Sequence, residues 1–66
     1  MYAIEYRENS STVQIVYSKA AIAKREFPKL FGNTFTQKAA VVVNLATGMV
    51  EWEKLPGITN FRKCIF

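Results

Sequence analysis

Nothing in this sequence can staple the chain together. Its 66 residues include one cysteine, Cys64, and neither histidine nor aspartate. A lone thiol forms no internal disulfide, and a structural zinc site needs about four ligands drawn mostly from Cys and His. A chain this short buries only about 60% of the surface that its unfolded form exposes, a deficit that small domains often offset with disulfides or metals. With both routes closed, residues 1–66 are expected to form a single domain around one apolar core. Half of the residues are hydrophobic, including five Phe, three Tyr and one Trp, so the material for that core is present.

The same absences bear on chemistry. Imidazole is the side chain that titrates near neutrality, and without it general acid–base catalysis is hard to arrange. Cys64 has no histidine to activate it as a nucleophile and reads as a small hydrophobe. Gly32, Gly48 and Gly57 are isolated, so no loop is rich enough in glycine to cradle a phosphate. Glu51 and Glu53 are read on one strand face, with Glu5 on the same sheet, as solvent-facing charges and not as an acid–base pair in a cleft. The expectation is a non-enzymatic protein with no catalytic, metal-binding or cofactor-binding residues.

Periodicity places the elements. Tyr2, Ile4 and Tyr6 alternate with Ala3, Glu5 and Arg7, and Val13, Ile15 and Tyr17 resume that period after the turn formers Asn9-Ser10-Ser11. Residues 2–17 therefore read as a hairpin with one apolar face. Ser18 is a suitable N-cap for a helix through Lys19–Phe27, whose Ala20, Ala23 and Phe27 share one side. Pro28 is expected to end that helix near Phe27 or to kink it into a last turn through Phe31, with Gly32-Asn33 as the stop. Residues 33–38 read as a loop.

Ala39-Ala40-Val41-Val42-Val43 is apolar on both faces, as a central strand is. Asn44 to Gly48 makes a tight turn, in which Asn44 bonds the backbone two residues on and Gly48 takes the left-handed conformation. The return strand, Met49 to Leu55, places Val50 and Trp52 on one face and Glu51 and Glu53 on the other. The order is β-β-α-β-β. It makes an α+β fold, a small antiparallel sheet of four strands with one helix packed on one face. The tail Ile58 to Phe66 is available as a fifth, edge strand.

The net charge of +4 is unevenly placed. Residues 1–17 carry −1, and so do residues 39–55. Residues 18–38 carry +4, from Lys19, Lys24, Arg25, Lys29 and Lys38 against Glu26, and the tail adds Arg62 and Lys63. A cationic helix, loop and tail beside a slightly acidic sheet suit an anionic partner or serve only to keep a hydrophobic chain in solution. The candidate partner-binding residues are Lys24, Arg25, Lys29, Lys38, Arg62 and Lys63. Tyr2, Tyr6 and Trp52 fall on apolar strand phases and are assigned to the core; Phe61 and Phe66 are left open as stacking residues. No RNA-recognition or KH signature is present.

Met1-Tyr2-Ala3-Ile4-Glu5 does not look like a signal peptide, and no apolar run approaches the ~20 residues that span a bilayer. With a free thiol, the expectation is a cytoplasmic protein that does not engage a membrane. Its function is read as a small regulator or inhibitor that occludes a protein partner through the basic helix-loop and tail. By analogy of size and architecture, it would be of the kind that phages and mobile elements direct at host or defence complexes. The alternative is a nucleic-acid-binding module using the same surface, and a sheet edge offers a route to a homodimer.

Overall fold

The structure, a computed structural model, describes residues 1–64. Five strands form one antiparallel sheet: β1 (Tyr2–Glu8), β2 (Ser11–Tyr17), β3 (Ala40–Asn44), β4 (Met49–Lys54) and β5 (Arg62–Lys63), in the order β2-β1-β3-β4-β5. One helix, α1 (Ala20–Phe31), lies between β2 and β3 in sequence and packs on one face. The fold is thus α+β, as the patterning indicates, and the tail does add the edge strand. The remainder of the tail reading, Ile65 and Phe66, lies outside the described residues.

The hairpin β1–β2 turns through Asn9 and Ser10, at φ 50° and 70°. Two consecutive left-handed residues define the turn whose twist matches that of the strands it joins. Pairing then runs unbroken from Glu8–Ser11 to Tyr2–Tyr17. Ile15, Ile4, Val42 and Trp52 form one cross-strand row beneath the helix. Ile4 and Val42 are fully buried there with Ala23 and Phe27 of α1 and with Ala40. Around Phe27 the rings of Tyr6, Phe31 and Phe61 lie edge-on at 5.8, 5.2 and 5.7 Å between centroids. Such edge-to-face pairs add to burial because a ring's positive rim meets its neighbour's negative face.

Three local expectations are corrected. Ser18 does not cap the helix: Lys19 occupies the N-cap in extended conformation and makes no side-chain cap bond. At Pro28 the second of the two expected outcomes holds. The helix runs on to Phe31, although the proline leaves the Lys24 carbonyl without its helical donor. Only this continuation brings Phe31 against Tyr6, 5.0 Å away, and against Phe27. Gly32, at φ 56°, then turns the chain, and residues 32–37 form a 3₁₀ helix where a loop was expected.

The third correction concerns β4. Its register against β3 shifts between Val42 and Val43, so that Trp52 pairs with Val42 but Val50 pairs with Val43. Glu51 is the extra residue of a bulge. Val50 and Trp52 therefore lie on opposite faces, and so do Glu51 and Glu53. The face away from the helix is not uniformly polar. It carries an apolar row of Val16, Ala3, Val43 and Val50 beside a polar row of Gln14, Glu5, Glu53 and Arg62 that is broken by Val41.

Candidate functional site

The helix face and the tail enclose a shallow cleft of about 500 Å³. Lys24, Arg25 and Pro28 of α1 form one wall, Phe35 of the 3₁₀ helix a second, and Thr59, Asn60 and Phe61 a third. Each element is held for a reason. Phe61 is anchored by its ring contact with Phe27. The tail is fixed on both sides of it, by the Gly57 amide donating to the Thr36 carbonyl at 2.7 Å and the Cys64 amide donating to the Glu51 carbonyl at 2.9 Å. Phe35 is set by the 3₁₀ helix, with the Lys54 ammonium 5.8 Å from its ring.

Lys54 was not singled out in the sequence, and it is the one fully buried charged side chain among the described residues, at 1% exposure. Its ammonium donates to the carbonyls of Thr36 at 3.1 Å, Leu55 at 3.4 Å and Lys38. It thereby fastens β4 to the end of the 3₁₀ helix, where the helical carbonyls lack internal donors. All three partners are neutral, and burial pushes the Lys54 pKa below its ordinary value. Lys54 stands two residues after Trp52, on the inward phase of the strand, which is the one sign of burial the sequence offers; the 3₁₀ helix brings the carbonyls to it.

The six candidate cations do not form one patch. Lys24 and Arg25 share the cleft. The Lys24 ammonium sits 3.2 Å from the centre of the Trp52 ring, a cation–π contact against a half-buried indole. Lys63 pairs across the strands with Trp52, on the same side of the sheet. Arg25 and Lys29 both reach Glu26, at 3.5 and 2.9 Å. The Lys29 hydrogen bond, followed by the lysine and arginine charges, holds that carboxyl below its usual range. Lys38 lies 5.1 Å from the Phe31 ring. Arg62 is on the far face, paired with Glu53 at 2.7 Å.

Of the aromatics, Tyr2, Tyr6, Trp52 and Phe61 all pack against the core cluster. Phe61 does so while presenting surface to the cleft, and Phe66 lies outside the described residues. Phe35, Thr59 and Asn60 join the site unforeseen. Phe35 had one available signal, an isolated aromatic in a polar stretch.

A second concavity, about 330 Å³, opens where β1 and β3 part beyond the Glu5–Val41 pair. Its lining Glu5, Glu53 and Arg7 are each engaged by a residue outside the lining. Gln14 donates to Glu5 at 3.0 Å, Arg62 to Glu53 at 2.7 Å, and Arg7 to the Ser10 carbonyl at 3.4 Å. The α1–tail cleft differs in having two cations, two aromatic rings and no carboxylate among its lining residues. No family model, curated protein or solved structure matches this chain. Among the described residues no helix is long and apolar enough to cross a membrane.

Proposed function

We propose that this protein is a non-enzymatic binding module that regulates a protein partner by occluding an acidic segment of it in the α1–tail cleft. The observation that carries this reading is the lining of the cleft. Lys24 and Arg25 flank the rings of Phe35 and Phe61, and no carboxylate is among the lining residues. Arg25 reaches Glu26 outside the lining at 3.5 Å, but its side chain stays 69% exposed. A carboxylate-bearing segment with an apolar or aromatic residue beside the charge fits such a surface. The cations meet the charge and steer its approach, while the rings take the apolar contact.

Nucleic acid is the weaker reading. A duplex presents one phosphate charge per ~1.7 Å of axis and rewards a long cationic track. Here Arg62 faces away in an ion pair, and Lys29 and Lys38 are engaged elsewhere.

The test is affinity capture followed by titration of the identified partner. Arg25→Glu should weaken binding at least tenfold, since it sets a like charge against the acidic segment, a cost of several kcal/mol. Arg62→Gln, on the other face, should leave binding unchanged. Equal loss from both variants, or none from Arg25→Glu, would place the binding surface elsewhere. Tight binding of random oligonucleotides that falls steeply with salt would favour the alternative.

A further inference from the structure

The two edges of the sheet are built differently. β5 is two residues long and both are exposed cations, Arg62 and Lys63. Short length and charge are usual guards against strand addition. β2 is the opposite edge and has no guard. Its seven residues contain no charge, proline or glycine, and its pairing with β1 has no bulge. Among the described residues no strand lies on its outer side, so the amide and carbonyl groups of alternate residues face outward without a ladder partner.

We infer that β2 pairs antiparallel with β2 of a second copy of this chain, joining two five-stranded sheets into one. The strand's own sequence fits that occupant. In the register that uses all seven residues, Gln14 lies on the two-fold axis, and Val13, Thr12 and Ser11 face Ile15, Val16 and Tyr17 of the second copy. A two-fold axis normal to the sheet keeps the pleats in phase. Val13 then meets Ile15 on the helix side, and Thr12 meets Val16 on the open side. Val13 and Ile15 are only half-buried in one copy, and Val16 is 47% exposed, so apolar surface remains to be covered.

The ends of the interface are complementary in charge. Glu8 stands at the turn end of the hairpin and Lys19 follows its other end, both exposed. Antiparallel pairing sets each Glu8 end beside the Lys19 end of the other copy, twice by symmetry, and no charged residue of one strand faces a like charge. Both helices then lie on the same face. The two basic clefts, beside β5, sit at the outer ends of the joined sheet, an arrangement suited to divalent capture of a partner.

Sedimentation of the full chain over a range of concentrations tests this. Wild type should show a dimer that dissociates on dilution. Gln14→Lys places two ammonium groups at the axis and should weaken association by at least about tenfold, while the exposed position leaves the circular dichroism of the monomer unchanged. An equimolar mixture of Gln14→Lys and Gln14→Glu should recover the dimer mass that neither variant reaches alone, which assigns the register. A wild type that stays monomeric at millimolar concentration overturns the proposal. So does a dimer that survives Gln14→Lys but is lost in Val50→Glu, because the interface would then be the open face.

Discussion

Lys54→Met tests whether a buried ammonium without a counter-ion holds this fold or burdens it. Methionine keeps the unbranched stem and removes three donated hydrogen bonds. The three acceptors do not lose equally. The Thr36 carbonyl keeps the Gly57 amide, and Leu55 is at an exposed position where water can replace the donor. The Lys38 carbonyl loses its ammonium partner outright. A buried acceptor left unmade costs about 1–3 kcal/mol, and bonds to charged groups sit toward the upper end of the net range. The expected loss is therefore about 2 kcal/mol, or roughly 10–15 °C in Tm for a domain of this size. Thermal unfolding followed by circular dichroism at neutral pH measures it. A variant that melts at or above the wild-type temperature would refute the reasoning, since removing the ammonium would then have relieved more desolvation than it cost in bonding.

The pH dependence gives an independent check with a fixed sign. Burial lowers the folded pKa of Lys54 below 10.5. Between that lowered value and 10.5 the unfolded chain binds the proton more strongly, so this lysine makes stability rise as pH increases through the window. Tyr6 acts in the opposite sense. Burial of its hydroxyl first, then the charges of Glu8 and Tyr17, raise its pKa above 10.0. The unfolded tyrosine therefore ionises first, and stability falls as pH rises beyond about 10. Subtracting the Lys54→Met profile from that of wild type cancels the Tyr6 contribution. The difference should tilt upward with pH below 10.5, and a flat difference would show that burial of the ammonium carries no such penalty.

Other substitutions probe the turn and the cleft. Ser10→Gly should stabilise by about 1 kcal/mol, because Ser10 holds φ 70° where a Cβ is penalised; chemical denaturation reads this as a higher midpoint with an unchanged slope. Lys24→Met should shift the fluorescence of Trp52, the only tryptophan, and cost about 1 kcal/mol by removing the cation from its ring face. An unchanged emission spectrum would mean that the ammonium does not rest there in solution.

The parts of the fold legible in the sequence were those fixed by local pattern. Alternation gave the two hairpins, and the β-branched run at Val41–Val43 gave a strand with a neighbour on each side. Asn44 and Gly48 carried their turn in their side-chain chemistry: Asn44 Oδ1 accepts from the Ala46 amide at 2.9 Å, and Gly48 adopts φ 77°. What local pattern could not give was set by packing. Ser18 is a better N-cap than Lys19 in isolation, but the chain leaving β2 delivers Lys19 to that position. Pro28 leaves two ends open, near Phe27 or through Phe31, and the ring contacts of Phe31 favour the second. The cations were legible as a group in sequence and not as a surface. Pairing with Trp52, Glu26, Phe31 and Glu53 sends them in different directions, and only Lys24 and Arg25 reach the cleft together.

The bulge at Glu51 links the hidden features to the site. In a regular register Glu51 would face Val43, placing a carboxylate in the apolar row of the open face beside that buried valine. Burying that charge without a partner is costly. The bulge avoids this by giving Val50 to Val43 and turning the carboxylate to Asn44, whose Nδ2 donates to it at 2.8 Å. It also leaves the Glu51 carbonyl to receive the Cys64 amide, so the same irregularity ties down the tail that carries Phe61. Asn44 thus serves both the turn and the bulge. Asn44→Ala should cost about 1–2 kcal/mol by losing both bonds, whereas Glu51→Gln, which keeps an acceptor for Nδ2, should cost less than about 0.5 kcal/mol. If the bulge holds the tail in place, Asn44→Ala should also hasten hydrogen exchange at the Cys64 amide, and Glu51→Gln should not. Equal protection of that amide in both variants would show that the tail is held without the bulge, by its other contacts at Gly57, Phe61 and β5.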